Sequence, residues 1–147
     1  MSRRSLHVVQ PRSCGDCSAC CTAMRIDAIS KPRDVPCAHL AARGCGIYAT
    51  RPDECRTFRC AWLMATETRD VWTGASRPDR LGAVAWYEET RFGPSLVVQE
   101  MREGALETAA VRSIVRELVQ RVSAVVTRDM RGRELVSLPR AEKRNGE

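Results

Sequence analysis

The chain has 147 residues, 44% of them hydrophobic, and a formal net charge of +6. This length corresponds to one domain of ordinary size, and the hydrophobic content excludes a wholly disordered chain. No apolar run approaches the ~18 residues that a membrane span needs, so we expect no transmembrane helix and no membrane partner. The unusual feature is eight cysteines in so short a chain, which form either disulfides or metal sites.

The N-terminus determines the compartment that we expect. Residues 2–6 resemble a twin-arginine export signal, but residues 7–12 lack the apolar segment of about 7 to 15 residues that should follow. We therefore predict a cytoplasmic protein whose thiols stay reduced and available for metal or redox chemistry. Residues 1–13 and the charged tail 140–147 are predicted to be flexible and disordered, respectively.

The cysteines are the strongest signal, because all eight fall between residues 14 and 62 and four of them form a C-x2-C-x2-C-C run. A C-x2-C pair lets two sulfurs reach one metal ion at about 2.3 Å. We predict metal ligation by the full set: Cys14, Cys17, Cys20, Cys21, Cys37, Cys45, Cys55 and Cys60. His39, two residues after Cys37, is a candidate ninth ligand.

The adjacent cysteines Cys20 and Cys21 carry geometric information. Neighbouring side chains point to opposite faces of a strand and diverge by about 100° on a helix, so one tetrahedral ion is not expected to bind both. We therefore assign Cys20 to the same site as Cys14 and Cys17. Cys21 is expected to face a different partner or to be a small buried side chain.

A helix start is predicted before Cys55, with Thr50 as the N-cap, Pro52 in the first turn and Asp53 as the capping-box acid. The helix N-terminus and the arginines around it favour the thiolate of Cys55, which makes this residue a better ligand or nucleophile.

The identity of the metal stays open between an iron–sulfur cluster and Zn²⁺, since both take thiolate ligands. Three cysteines at three-residue steps are typical of the opening of a ferredoxin-type cluster run, although the usual C-P ending is missing. Zinc more often binds paired ligands from two separated knuckles. We favour the cluster slightly for the first site.

The net charge does not indicate a nucleic-acid partner. Eight thiolates contribute eight negative charges and two divalent ions four positive ones, which would bring the net charge from +6 to +2 in a loaded protein. The basic residues are nearly all arginines spread along the chain, and no nucleic-acid-binding motif accompanies them. Nucleic acid is therefore not an expected partner.

Residues 80–128 carry the periodic apolar patterns. The segments 81–87 and 95–101 are rich in β-branched and aromatic residues, which predicts a hairpin with a longer loop over 88–94. From Leu106 to Arg128 apolar residues recur at three- and four-residue steps, which predicts a long amphipathic helix. The recurring residues are Val111, Ile114, Val115, Leu118, Val122 and Val125. We expect this stripe to cover the hairpin, with a protein-binding face as the alternative.

The cysteine segment also resembles a known family, the YkgJ-like cysteine-cluster proteins, which are named for the C-x2-C-x2-C-C motif. The matching residues are the opening run, Cys37, and the string C-x-I-Y-x2-R-P-x2-C-R-x-F from Cys45 to Phe58. The resemblance covers about residues 14–62, and Arg77–Arg80 matches some members more weakly. It implies binding of zinc or iron, including iron as an iron–sulfur cluster. Some members are described as iron–sulfur oxidoreductases, and a flagellin lysine methylase shares the motif, but this chain has no glycine-rich cofactor loop.

The sequence therefore predicts a small α+β protein with a single domain over residues 14–139. Its cysteine-rich half, 14–62, is organised by metal, and its second half packs a long amphipathic helix on a hairpin. The expected function is metal binding, either structural or for delivery to a partner. The alternatives are an iron–sulfur electron-transfer protein and a metal-stabilised protein-interaction module that uses the C-terminal helix. Neither a Ser-His-Asp set nor a paired-carboxylate motif is recognisable, so no catalytic residue is assigned.

Overall fold

The first half of the chain folds into elements of five residues or fewer. The computed structural model describes residues 12–65 and 71–141. The elements of the first range are α1 (Cys20–Ala23), β1 (Leu40–Ala41), β2 (Gly44–Cys45), α2 (Asp53–Thr57), α3 (Ala61–Met64), and 3₁₀ turns at Asp27–Ile29 and Tyr48–Thr50. β1 and β2 form a small antiparallel hairpin.

The prediction that Thr50 caps a helix is wrong. Helix α2 begins three residues later, at Asp53, with Pro52 in the N-cap position. Thr50 instead closes the preceding 3₁₀ turn, where its N–H donates to the carbonyl of Ile47 at 2.9 Å. Cys55 nevertheless lies inside the short helix, as the sequence predicts.

The second half of the chain is built on a four-stranded mixed sheet. Its elements are a 3₁₀ turn at Gly74–Ser76, α4 (Pro78–Leu81), β3 (Ala83–Thr90), β4 (Gly93–Glu100), a 3₁₀ turn at Ala105–Glu107, α5 (Ala109–Leu118), β5 (Ala124–Arg128) and β6 (Glu134–Ser137). The strand order is β3-β4-β5-β6, with β4 and β5 parallel and the outer pairs antiparallel. The chain is therefore a small α+β domain, as expected.

The predicted hairpin is confirmed, but its loop is much shorter than expected. Strands β3 and β4 remain paired as far as Thr90 and Gly93, so that only two residues connect them. The hydroxyl of Thr90 lies 2.7 Å from that of Ser95 and accepts the N–H of Phe92 at 3.1 Å. Gly93 has φ of +101°, and a Cβ there would lie 2.8 Å from the Ser123 hydroxyl. Glycine is therefore favoured at this position on both grounds.

The predicted long C-terminal helix is wrong. Helix α5 has ten residues and ends at Leu118, and the chain then forms strand β5. The segment around Val125 is rich in β-branched residues, which fit a strand buried between two neighbours. Val125 is fully buried, and the parallel pairing of β4 with β5 uses α5 as its crossover. The apolar spacing of the segment thus spans the end of a helix and the start of a strand.

Both faces of the sheet are covered. One face packs with α5 through a cluster that includes Ala83, Ala85, Leu96, Val98, Val111, Ile114, Leu118 and Val125. The opposite face packs with the cysteine-rich segment through a second cluster: Ala19, Ala23, Val84, Trp86, Val97 and Val126. Successive residues of β3 and β4 alternate between the two clusters, as the pleat of a strand requires. Ala19 and Ala23 of the cysteine-rich half therefore lie on the sheet face opposite α5, whereas Ala61 of α3 and its C-cap Ala65 pack in the cluster that contains α5.

The predictions for residues 1–13 and 140–147 lie almost entirely outside the described residues. Within 12–65 and 71–141, no helix is long and apolar enough to cross a membrane.

The burial of β4 leads to a stability prediction. Leu96 has no exposed surface, whereas the side chain of Leu135 in β6 is 67% exposed. Leu96→Ala should lower the free energy of unfolding by about 2 to 5 kcal/mol, because it removes core contacts and leaves a cavity. Leu135→Ala is the matched control and should change it by less than about 0.5 kcal/mol. Urea unfolding measures both, and equal losses in the two variants would contradict the packing described here.

Candidate metal centre

The first cysteines lie in a turn that is tied to the sheet domain by an arginine. The N–H of Cys17 donates to the carbonyl of Cys14 at 2.9 Å, and Gly15 takes a left-handed φ of +55° within this turn. The guanidinium of Arg77 pairs with Asp16 of the turn at 2.8 Å and with Asp79 at 2.5 Å. Hydrogen bonds from this guanidinium hold the pKa of Asp79 below its usual value. Arg77 therefore links the turn to helix α4.

Helix α1 seats the next two cysteines through its small residues. Ala19 and Ala23, four positions apart, are buried against the sheet. At 100° per residue, Cys21 lies about 200° from Ala19 around the helix, and Cys20 lies about 100° from it. Cys21 is therefore on the side of α1 turned away from the sheet, while Cys20 is at its flank.

Cys60 also lies against the sheet face that α1 covers. It is the N-cap of α3, and its sulfur accepts the N–H of Leu63 at 3.4 Å. Cys17 and Cys60 both pack against the cluster around Trp86. Burial raises the pKa of Cys60, and the charges of Cys14 and Cys17 raise it further. The hydrogen bond from Leu63 opposes this shift. These thiols therefore lie within electrostatic range of one another.

A second set of cysteines lies along the outer side of α1. The N–H of Cys37 donates to the carbonyl of Cys21 at 2.9 Å, and the carbonyl of Cys37 accepts the N–H of Leu40 at 3.0 Å. Leu40 pairs with Cys45 across the small hairpin. The prediction that the Cys55 thiolate is favoured is wrong, because burial and then the neighbouring thiols of Cys21, Cys45 and Cys37 raise the pKa of Cys55. This set is thus joined by backbone contacts as well as by charge.

The two sets meet at Cys20 and Cys21, whose thiols share a hydrogen bond. This contact lowers the pKa of Cys21 to about 6, with a further contribution from Lys31, and it raises the pKa of Cys20. The prediction that the two side chains diverge is thus only partly correct, because their thiols interact with each other. Their other neighbours overlap. Cys20 interacts with Cys14 and Cys17, Cys21 also acts on Cys14, and both thiols act on Lys31.

Lys31 is a buried cation that the sequence analysis did not assign to the site. Its ammonium donates to the carbonyls of Thr22 at 2.9 Å, Met24 at 2.5 Å and Pro32 at 2.9 Å. Burial lowers its pKa, and the thiols of Cys37 and Cys21 oppose that shift. An ammonium in this position offsets the charge of thiolates. The available signal was its rarity, since the chain has only two lysines.

Glu54 is a second contact that the sequence did not reveal. Its carboxylate accepts the backbone N–H groups of Asp27 and Ala28 at 3.2 and 2.9 Å. The contact ties α2, which contains Cys55, to the segment that follows α1. Spacing alone does not predict a bond between residues so far apart in sequence.

The donor chemistry fits zinc or an iron–sulfur cluster, because thiolates are the preferred ligands of both. All eight cysteines are free of disulfides. Among residues 12–65 and 71–141, however, no three ligating side chains converge as an assembled metal site would require. His39 contacts Cys37 through its backbone N–H, which lies 3.4 Å from the sulfur. The structure thus brings the thiols near each other without placing them at metal-binding distances.

No family model matches the chain, and no curated protein or solved structure matches it either. The resemblance to the YkgJ-like cysteine-cluster proteins therefore rests only on the motif residues quoted above.

The low pKa of Cys21 predicts selective alkylation in metal-free, reduced protein. A lowered pKa means that the thiolate persists at lower pH, so Cys21 should be substantially ionised above pH about 6 while Cys20 stays protonated. Short pulses of iodoacetamide from pH 5 to 9, followed by peptide mass spectrometry, measure the two rates. The Cys21 rate should level off above pH about 7. A Cys21 rate that instead climbs steadily to pH 9, or a faster reaction at Cys20, would contradict this assignment.

Proposed function

We propose that this protein binds metal, as zinc or as an iron–sulfur cluster, through the thiolates of its eight cysteines. The observation that carries the proposal is the poverty of hydrophobic contacts in the segment that contains them. Within residues 12–65 the buried hydrophobic residues are Ala19, Ala23, Ile26, Ala61 and Ala65. Even with the partly buried Met24, Phe58 and Trp62, four alanines and one isoleucine form a small apolar core for more than fifty residues.

Metal–thiolate bonds would supply the missing stability. Apparent binding free energies for structural zinc in small peptides are about 10 to 16 kcal/mol, comparable with the whole stability of a domain. Small chains that lack a sufficient core commonly use disulfides or metal in this way. All eight cysteines here are free thiols, which favours metal over disulfides.

Two backbone contacts favour the thiolate form. The N–H groups of His39 and Leu63 donate to the sulfurs of Cys37 and Cys60, each at 3.4 Å. Such hydrogen bonds stabilise a charged sulfur, and in cluster proteins they help to set the reduction potential. Bound zinc would act as a structural cross-link, whereas a cluster would add one-electron chemistry.

Electron transfer is the second candidate function, and the exposure of Cys14 favours it. A cluster ligated there would lie close to the protein surface, within reach of a redox partner. A metal-stabilised interaction module is the third candidate. Because Val111, Ile114 and Leu118 pack in the core, a protein partner would meet the polar face of α5.

Elemental analysis of anaerobically purified protein tests the metal proposal. We expect at least one zinc or iron per chain, with acid-labile sulfide and visible absorption if the metal is an iron–sulfur cluster. Cys37→Ser should reduce the metal content, whereas the exposed neighbour Ala38→Ser should not. Folded, reduced protein that contains no metal and takes up neither zinc nor iron on reconstitution would refute the proposal. Colourless protein with zinc and no sulfide would decide for zinc.

A further inference from the structure

The positions of the cysteines relative to the sheet divide them into two layers. Cys17 and Cys60 pack directly on the sheet cluster around Trp86. Cys14 belongs with them, because the N–H of Cys17 closes the turn onto its carbonyl at 2.9 Å. Cys20 opens helix α1 at the flank of the buried face of that helix. These four residues form the layer next to the sheet.

The other four cysteines lie on the far side of α1. Cys21 is turned away from the buried Ala19 and Ala23, and its carbonyl is bonded to the N–H of Cys37. Leu40 of the small hairpin links Cys37 and Cys45. Its N–H donates to the carbonyl of Cys37, and it pairs with Cys45 in strand β2. These contacts form the outer layer.

Cys55 joins the outer layer through helix α2. Its neighbour Glu54 fixes α2 to the backbone of Asp27 and Ala28, beyond the end of α1. The thiols whose charges act on Cys55 are those of Cys21, Cys45 and Cys37. The thiols that act on Cys60 are those of Cys14 and Cys17. The two sets also interact with each other, since Cys21 acts on both Cys14 and Cys20.

We propose that the eight cysteines form two adjacent four-thiolate metal centres, which meet at Cys20 and Cys21 on α1. The inner centre consists of Cys14, Cys17, Cys20 and Cys60, and the outer centre consists of Cys21, Cys37, Cys45 and Cys55. This inference rests on the proposed function and adds which four cysteines would bind each metal. Four thiolates satisfy one tetrahedral Zn²⁺ or one four-iron cluster, so each centre is complete without an external ligand.

Buried charge would need compensation in such centres. A divalent ion with four thiolates carries a net charge of −2, which is costly to bury alone. The buried ammonium of Lys31, which donates to the carbonyls of Thr22, Met24 and Pro32, lies within range of Cys37, Cys21 and Cys20. It is therefore near the boundary between the two proposed centres.

Cadmium loading of the reduced full-length chain tests the partition. Cd²⁺ is a suitable probe because it prefers tetrahedral thiolate sites as Zn²⁺ does and gives one ¹¹³Cd NMR signal per distinct site. We expect about two Cd²⁺ per chain and two signals in the all-sulfur range. Cys60→Ser and Cys45→Ser should each remove or shift a different signal and leave the other unchanged. A Cys45→Ser/Cys55→Ser double variant should lose only the signal that Cys45→Ser affects.

The same protein allows a check that does not depend on the folding of any variant. Wild-type chain loaded with a substoichiometric amount of Cd²⁺ is treated with N-ethylmaleimide, and the protected cysteines are identified by mass spectrometry. Protection should occur in the two sets of four given above. Protection of Cys60 together with Cys45 or Cys55, or a single site that uses cysteines of both sets, would overturn the partition and leave metal binding intact. Absence of Cd²⁺ binding by the wild-type chain would instead overturn the proposed function, and the partition with it.

Discussion

The contact between helix α1 and the sheet is the constraint on which the cysteine-rich half depends. Ala19 and Ala23 are almost completely buried against Val84 and Val97. Only side chains as small as alanine let the helix backbone approach a sheet so closely. That approach fixes the rotation of α1, and the rotation places Cys20 at the flank of the buried face and turns Cys21 away from the sheet.

The two halves of the chain are stabilised by different means. The central strands β4 and β5 bury continuous runs of valine, leucine and alanine on both faces, and the edge strand β3 does so over its first four residues. The segment 12–65 has short elements and buries chiefly alanine. Its positions are fixed by specific polar contacts, such as those of Arg77, Lys31 and Glu54, and in our proposal by metal. The hydrophobic half therefore acts as a platform, and in our proposal bound metal adds to the polar contacts that hold the thiol-rich half.

The sequence correctly predicts the elements whose residue pattern fits only one type of secondary structure. The β-branched runs around Val84 and Val97 indicate strands, and both strands are present. The ligand set indicated by the cysteine spacing stays a prediction. The boundary between α5 and β5 is missed, because Val122 and Val125 fit the spacing of a helix as well as the composition of a strand. Strand β6 is missed since it is short and Leu135 is exposed. The bonds of Lys31 and Glu54 escape prediction for another reason, namely that they join side chains to distant backbone groups.

The most direct test of the account compares amide hydrogen exchange in the metal-loaded and the metal-free, reduced chain. The account predicts that removal of metal accelerates exchange throughout residues 14–62, because in our proposal ligation supplies most of the stability that a small core and a few polar contacts do not. Strands β3, β4 and β5 should keep their slow exchange, since their protection comes from a hydrophobic core. Equal protection of residues 14–62 with and without metal would contradict the central claim that bound metal organises this half of the protein.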